Sequence, residues 1–99
     1  MLKDILLEYY TASWCGPCRT FKPQAKEMAA KAGVQLTEID VDDFTDVAMA
    51  MKIMSVPTIA VIANEGTGDY REIGRVVGAS PAKLTEQLDN ARAMGYNVN

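Results

Sequence analysis

The order in which two hydrophobic periods alternate along the chain constrains its fold more than any other feature. Ile5 to Tyr10 is a short apolar and aromatic run carrying one charge, suited to a buried strand, and it ends at the turn-prone Thr11-Ala12-Ser13. Phe21, Ala25, Met28, Ala29 and Ala32 then recur at helical spacing, with Lys22, Lys26, Glu27 and Lys31 between them and Gly33 as the natural stop. Pro23 sits inside this helix, where it should bend it. Gln35 to Val41 returns to alternation through Leu36, Ile39 and Val41, and Asp42 or Asp43 can cap a short helix over Phe44 to Lys52. Thr58 to Ala63 is β-branched and apolar. The cluster Asn64-Glu65-Gly66-Thr67-Gly68 turns it into a further strand, Tyr70 to Val77, as a hairpin. Ser80 reads as an N-cap with Pro81 at the first helical position, and Leu84, Leu88 and Ala91 face inward along a terminal helix that stops near Gly95.

The resulting order, β-α-β-α-β-β-α, predicts an α/β fold: a four-stranded mixed sheet with helices on both faces. Helical crossovers are expected to join the first three strands in parallel, and a tight turn to add the fourth antiparallel. A chain of 99 residues supports one modest core, so residues 1–99 read as a single domain without repeats, linkers or low-complexity stretches. A monomer is the expected state of so compact a unit.

Charge and composition exclude several function classes. A net charge of −3 without a Lys/Arg stripe argues against a nucleic-acid partner, because binding phosphates requires cations to neutralise them. Lys3 and Asp4 interrupt the N-terminus, which has neither the apolar length nor the cleavage site of a secretory signal, and no run approaches the roughly 18 apolar residues of a membrane span. The cytoplasm is the expected location. Histidine is absent, removing the commonest metal ligand and the usual neutral-pH base. Asp40, Asp42 and Asp43 lack the glycine and distal glutamate of a calcium loop and read as a solvated turn, so no metal site is expected. Met49, Met51 and Met54 read as core gap-fillers more readily than as an adaptable binding surface.

The segment that carries chemistry is Trp14-Cys15-Gly16-Pro17-Cys18, between the first strand and the first helix. Unpaired backbone amides and the positive end of that helix are expected to stabilise a thiolate on Cys15 and so lower its pKa, as in Cys-x-x-Cys motifs. Such a thiolate would attack a substrate disulfide, after which Cys18, one turn later, would attack Cys15 and release the reduced substrate. Gly16 and Pro17 suit the tight first turn, and this dipeptide tunes the dithiol against the disulfide, where about 30 mV is worth roughly 1.4 kcal/mol. A structural disulfide, a pair of inert buried cysteines and half of a metal site are the alternatives. The first closes too small a loop to stabilise much, and the last needs further ligands that this chain lacks.

With these residues in view the chain resembles the thioredoxin family over nearly its whole length. Trp14 to Cys18 matches the family's active-site motif, Pro23 falls at its helix kink, Val56-Pro57-Thr58 is similar to its cis-proline segment, and Val77-Gly78 to its substrate-facing pair. The resemblance implies a cis Val56-Pro57 bond that presents the Val56 backbone to an extended substrate. It also implies a mostly uncharged docking surface of Trp14, Gly16, Pro17, Val41, Val56, Pro57, Val77 and Gly78 around Cys15. Val41 reads equally well as a strand-core residue.

The chain departs from the family in two ways. It begins directly at the motif-bearing strand, as in shorter thioredoxin-like and glutaredoxin-like proteins, so one sheet face is expected to be less covered, and Glu8 is read as tolerated there for that reason. The family's buried Asp falls at Tyr9 and its accompanying Lys at Glu38. Glu38, taken as partly buried near Tyr9, is then a candidate to assist proton transfer at Cys18, since burial raises a carboxyl pKa; a solvated strand residue is the alternative.

The expected function is reduction of protein disulfides by dithiol-disulfide exchange, with Cys15 attacking and Cys18 resolving. No bound cofactor is expected beyond the redox-active Cys15-Cys18 disulfide. The resemblance implies that electrons arrive from NADPH through a thioredoxin reductase, and that the partners are this reductase and disulfide-containing proteins. The alternatives are a glutaredoxin-like enzyme recycled by glutathione, and a non-catalytic thioredoxin-like accessory module.

Overall fold

The protein is described here by a computed structural model covering residues 3–66 and 68–99. Its elements are β1 (Asp4–Thr11), α1 (Gly16–Ala32), β2 (Gln35–Asp40), α2 (Thr45–Ala50), β3 (Thr58–Asn64), β4 (Tyr70–Val77) and α3 (Pro81–Ala93). This is the expected order. Thr67, within the expected hairpin turn, lies outside the described residues.

One sheet holds all four strands in the order β2-β1-β3-β4. β1 pairs with β2 in parallel, and β3 is antiparallel to both β1 and β4. The expectation of three parallel strands is therefore corrected at β3. The reason is length: α2 has six residues, about 9 Å of helix. It does not carry the chain back along a strand of about 20 Å, so β3 re-enters the sheet at the end where β2 left it. The 17-residue α1 spans the full return, and β2 is parallel to β1.

Alternation in β1 divides the interior in two. Ile5, Leu7 and Tyr9 join Phe21, Ala25 and Ala29 of α1 and Leu84, Leu88 and Ala91 of α3 in the main cluster on one face. Burying each large apolar side chain there contributes roughly 1.5–3 kcal/mol. On the opposite face Tyr10, Ala60 and Ile62 pack with Leu6, Ile39, Met51 and Ile53. Glu8 points into that second face and is half-buried, where it accepts a hydrogen bond from the Tyr10 hydroxyl at 3.0 Å. Burial, and then the Glu8 carboxylate, pushes the Tyr10 phenol above its ordinary value.

The caps explain where helices stop and start. Gly33 ends α1 in the left-handed conformation at φ 68°, and its N–H donates to the Ala29 and Ala30 carbonyls. The Ser80 side chain accepts the Lys83 N–H at 3.2 Å, with Pro81 following, as the sequence indicates for α3. The expected cap of α2 by Asp42 or Asp43 is not made: the N-cap residue is Phe44, without a side-chain hydrogen bond. Asp40 instead accepts the Asp42 N–H at 2.8 Å and closes the turn locally.

Candidate functional site

The site begins where β1 hands over to α1. Cys15 is the N-cap of α1 with extended backbone (φ −92°, ψ 106°), and its Sγ accepts the Cys18 N–H at 3.2 Å. A backbone amide in the first turn, with no partner of its own inside the helix, is thus aimed at the sulfur. Gly16 and Pro17 fill the first two helical positions, and proline costs nothing there because its missing N–H would be unpaired anyway. The preceding loop is braced by Cys15 N–H to the Ala12 carbonyl at 3.1 Å and by the Arg19 guanidinium to the Ser13 carbonyl at 2.6 Å.

Cys15 and Cys18 are joined as a disulfide with their Cα atoms 5.3 Å apart. The pair is asymmetric in access: Cys15 keeps 5% exposure and Cys18 has none. Cys15 is therefore the sulfur of the pair that an approaching reagent meets first. Ala12, Cys15 and Cys18 form a small apolar cluster against Val41 and Val56.

The surroundings of Cys15 bring together most of the residues expected there. The Val56-Pro57 bond is cis, and the Val56 carbonyl oxygen lies 3.7 Å from Cys15 Sγ. The Pro57 carbonyl accepts the Gly78 N–H at 2.9 Å, which seats the Val77-Gly78 segment beside it. Gly78 takes φ 97°, a conformation that favours glycine. Val77 is 54% exposed and Trp14 67%. Trp14, Val41, Ile53, Met54, Ser55 and Val56 line a shallow cavity of about 150 Å³, and Pro17 borders a second cleft on the other side. A larger cleft of about 460 Å³ is lined by Arg19, Lys22, Glu38, Asp40, Asp43 and Phe44 among others, but by neither cysteine.

Glu38 does not sit as expected. Its carboxylate is about one third exposed and paired with Lys26 at 2.6 Å and Lys22 at 3.1 Å. The hydrogen bond from Lys26, aided by Lys22, holds the carboxyl below its ordinary value, outweighing a partial burial that acts the other way. The premise of a burial-raised carboxyl is corrected accordingly. The group that reaches the cysteine pair from beneath is Tyr9, fully buried, whose hydroxyl donates to the Cys18 carbonyl at 2.8 Å. Burial, and after it the Glu38 carboxylate opposite Tyr9 on β2, pushes the phenol up to about 12.

Sequence reasoning missed two contributors to this surface. Asp42, read as a turn or cap residue, accepts the Trp14 Nε1–H at 2.9 Å. Pairing between β1 and β2 continues past the strand ends, with the Val41 N–H on the Thr11 carbonyl at 2.9 Å, so the loops after both strands meet. Met49 and Met54, read as core, are 77% and 91% exposed, while Met51 is half-buried against the second face. The available signal for Met54 was its position three residues before the cis proline.

Comparison with known proteins converges on one family. The family model described as Thioredoxin matches residues 2–90. Thioredoxin H-type from Fagopyrum esculentum is 41% identical over 80 residues, covering 80% of this chain and 65% of that protein. Thioredoxin H2-1 from Oryza sativa subsp. japonica is 36% identical over 85 residues, covering 85% of this chain and 58% of that one. The chain thus spans about three fifths of the length of these curated relatives. Among solved structures, thioredoxin NaTrxh from Nicotiana alata superposes with a TM-score of 0.80 at 32% identity, covering 92% of this chain and 76% of that one. The thioredoxin of Fasciola hepatica gives 0.79 at 27% identity, covering 91% and 83%.

Proposed function

The chain belongs to the thioredoxin family, and from that premise we propose that it is a thiol-disulfide oxidoreductase that reduces protein disulfides. In the dithiol form the Cys15 thiolate attacks one sulfur of the substrate disulfide. A Cys15-substrate bond forms, the substrate bond breaks, and the departing thiolate takes a proton from solvent. Cys18, deprotonated in turn, attacks the Cys15 sulfur, which forms the Cys15-Cys18 disulfide and releases the second substrate thiolate. Two electrons pass to the substrate, and the protein ends in the state described above.

The observation that carries this reading is the Cys18 N–H held on Cys15 Sγ at the start of α1, with Cys15 alone accessible. The same amide and helix end that cap α1 stabilise a negative sulfur, which makes Cys15 the nucleophile and a good leaving group in the second step. Trp14, Val41, Val56, Pro57, Val77 and Gly78 form the docking face. The Val56 backbone is available to pair with an extended substrate segment, holding its sulfur in line with Cys15.

In this reading no cofactor is bound. Electrons return to the disulfide from NADPH through a thioredoxin reductase, a partner supported by the thioredoxins to which the chain is similar. A reducing compartment such as the cytoplasm suits a protein that must be kept as a dithiol. The test is insulin reduction with dithiothreitol, wild type against Cys15→Ser and Cys18→Ser. Wild type is expected to accelerate precipitation and Cys15→Ser to be inert. Cys18→Ser is expected to accumulate a mixed disulfide with the substrate, visible by mass. Activity retained by Cys15→Ser would defeat the assignment.

A further inference from the structure

Helix α2 ends without a glycine. The Ile53 N–H donates to the Ala48 carbonyl at 2.9 Å and the Lys52 N–H to the Met49 carbonyl at 3.0 Å, a pair of terminating bonds that places a left-handed residue at position 52. Lys52 supplies it at φ 55°, the one non-glycine residue with positive φ among those described. A side chain with a Cβ adopts this conformation reluctantly, so the terminus needs an external hold.

Arg75 provides one from β4. Its guanidinium donates to the Met51 carbonyl at 2.7 Å and to the Lys52 carbonyl at 3.1 Å, satisfying acceptors that the helix end leaves free. Glu72 grips the same guanidinium with both oxygens, at 2.6 and 2.8 Å, and so fixes its orientation. From this clamp only Ile53, Met54 and Ser55 intervene before Val56-Pro57. The far end of the bridge is tied as well, by Thr58 Oγ1 on the Ser55 carbonyl at 2.8 Å and by the Gly78 N–H on the Pro57 carbonyl.

We propose that Arg75 is a positioning residue for disulfide exchange: by clamping the end of α2 to β4 it holds the Met54–Pro57 segment in the register that presents the Val56 carbonyl and the Met54 side chain to a protein substrate beside Cys15. This rests on the function proposed above and adds a division of labour to it. The thiolate is set by α1, which Arg75 does not touch. The shape of the docking face is set by a β4 side chain 60 residues further along the chain than Cys15. Loss of Arg75 therefore weakens substrate docking while leaving sulfur chemistry intact.

The test compares wild type, Arg75→Met and Arg75→Lys, in the full chain, as reduced proteins with two oxidants. These are insulin, which must dock, and 5,5′-dithiobis(2-nitrobenzoate), which is too small to need the segment. Arg75→Met is expected to raise KM for insulin roughly threefold to tenfold with kcat held within about twofold, the pattern of lost substrate binding. The rate with the small disulfide and the midpoint of Cys15 thiolate titration are expected to be unchanged. Arg75→Lys, which keeps the charge but lacks the planar fork, is expected to fall between. Adding Lys52→Gly to Arg75→Met, which removes the reluctant left-handed side chain, is expected to recover at least half of the lost affinity. Equal losses on both disulfides, a shifted thiolate titration, an unchanged insulin KM or no recovery by Lys52→Gly would each overturn the proposal. Amide exchange gives a readout independent of activity: residues 52–56 are expected to exchange faster in Arg75→Met while α1 does not. If wild type itself failed to reduce insulin, the function would fall, and the clamp would still be judged by that exchange pattern.

Discussion

Replacing Tyr9 by phenylalanine removes one oxygen from the most enclosed part of the structure, and its cost can be worked from the geometry. The hydroxyl is fully buried and donates to the Cys18 carbonyl at 2.8 Å. A buried hydrogen bond contributes about 1 kcal/mol net, and leaving its acceptor without that partner adds to the loss, so Tyr9→Phe is expected to cost about 1–2 kcal/mol at pH 7. For a domain of this size, each kcal/mol lowers Tm by about 4–8 °C. Urea titration of the oxidised protein measures the loss directly, with the m-value unchanged because the exposed surface is the same.

The pH dependence of that loss is the sharper check. The phenol is held up to about 12 in the fold, above the ordinary value of about 10 that applies when the chain is unfolded. Between those values the folded state retains a proton that the unfolded state has lost, so stability falls as pH rises. The contribution is whole below pH 10 and disappears as pH climbs toward 12. The gap between wild type and Tyr9→Phe must therefore narrow above pH 10, while Tyr10, common to both proteins, cancels. Equal stability at pH 7, or a gap that stays constant through pH 11, would refute the placement of this hydroxyl.

Contacts elsewhere in the fold carry two further predictions. Glu38→Gln is expected to leave the pH-rate profile of disulfide reduction unmoved between pH 6 and 8, because Lys26 and Lys22 hold its carboxyl below the ordinary range and it stays ionised throughout; stopped-flow rates with insulin measure this. Ser80→Ala is expected to cost about 1 kcal/mol in urea unfolding, since it removes the oxygen that accepts the Lys83 N–H at the start of α3.

Elements whose cause is local were legible in the sequence. The periods of β1, α1 and α3, the Gly33 stop, and the Ser80-Pro81 start of α3 are written in neighbouring residues, and each appears where expected. The direction of β3 was not, because it depends on how far α2 travels. The apolar pattern of a short segment does not separate a helix that returns along the sheet from one that merely turns the chain. Six helical residues decide it in favour of turning, and this places the start of β3, with its proline, at the same end of the sheet as the start of α1.

The same distinction runs through the site. Cys15 and Cys18 are three residues apart, and the helix start that orders them is itself a local signal, so their geometry could be derived from the chain. The proposed docking face is assembled from separations that no local pattern records: Trp14 with Asp42, Cys15 with Val56, Pro57 with Gly78, and Arg75 with Met51 and Lys52. Tyr9 shows the boundary between the two cases. Its place beneath the site was implied by the family resemblance, but its role turns on the hydroxyl reaching the Cys18 carbonyl, with the Phe21 ring of α1 packed beside the Tyr9 ring. The spacing and backbone capping of the pair are therefore set locally, by the start of α1. In the function proposed, substrate recognition rests on long-range contacts, and substitutions in β4 and in the segment before Pro57 should alter substrate choice before they alter the reactivity of sulfur.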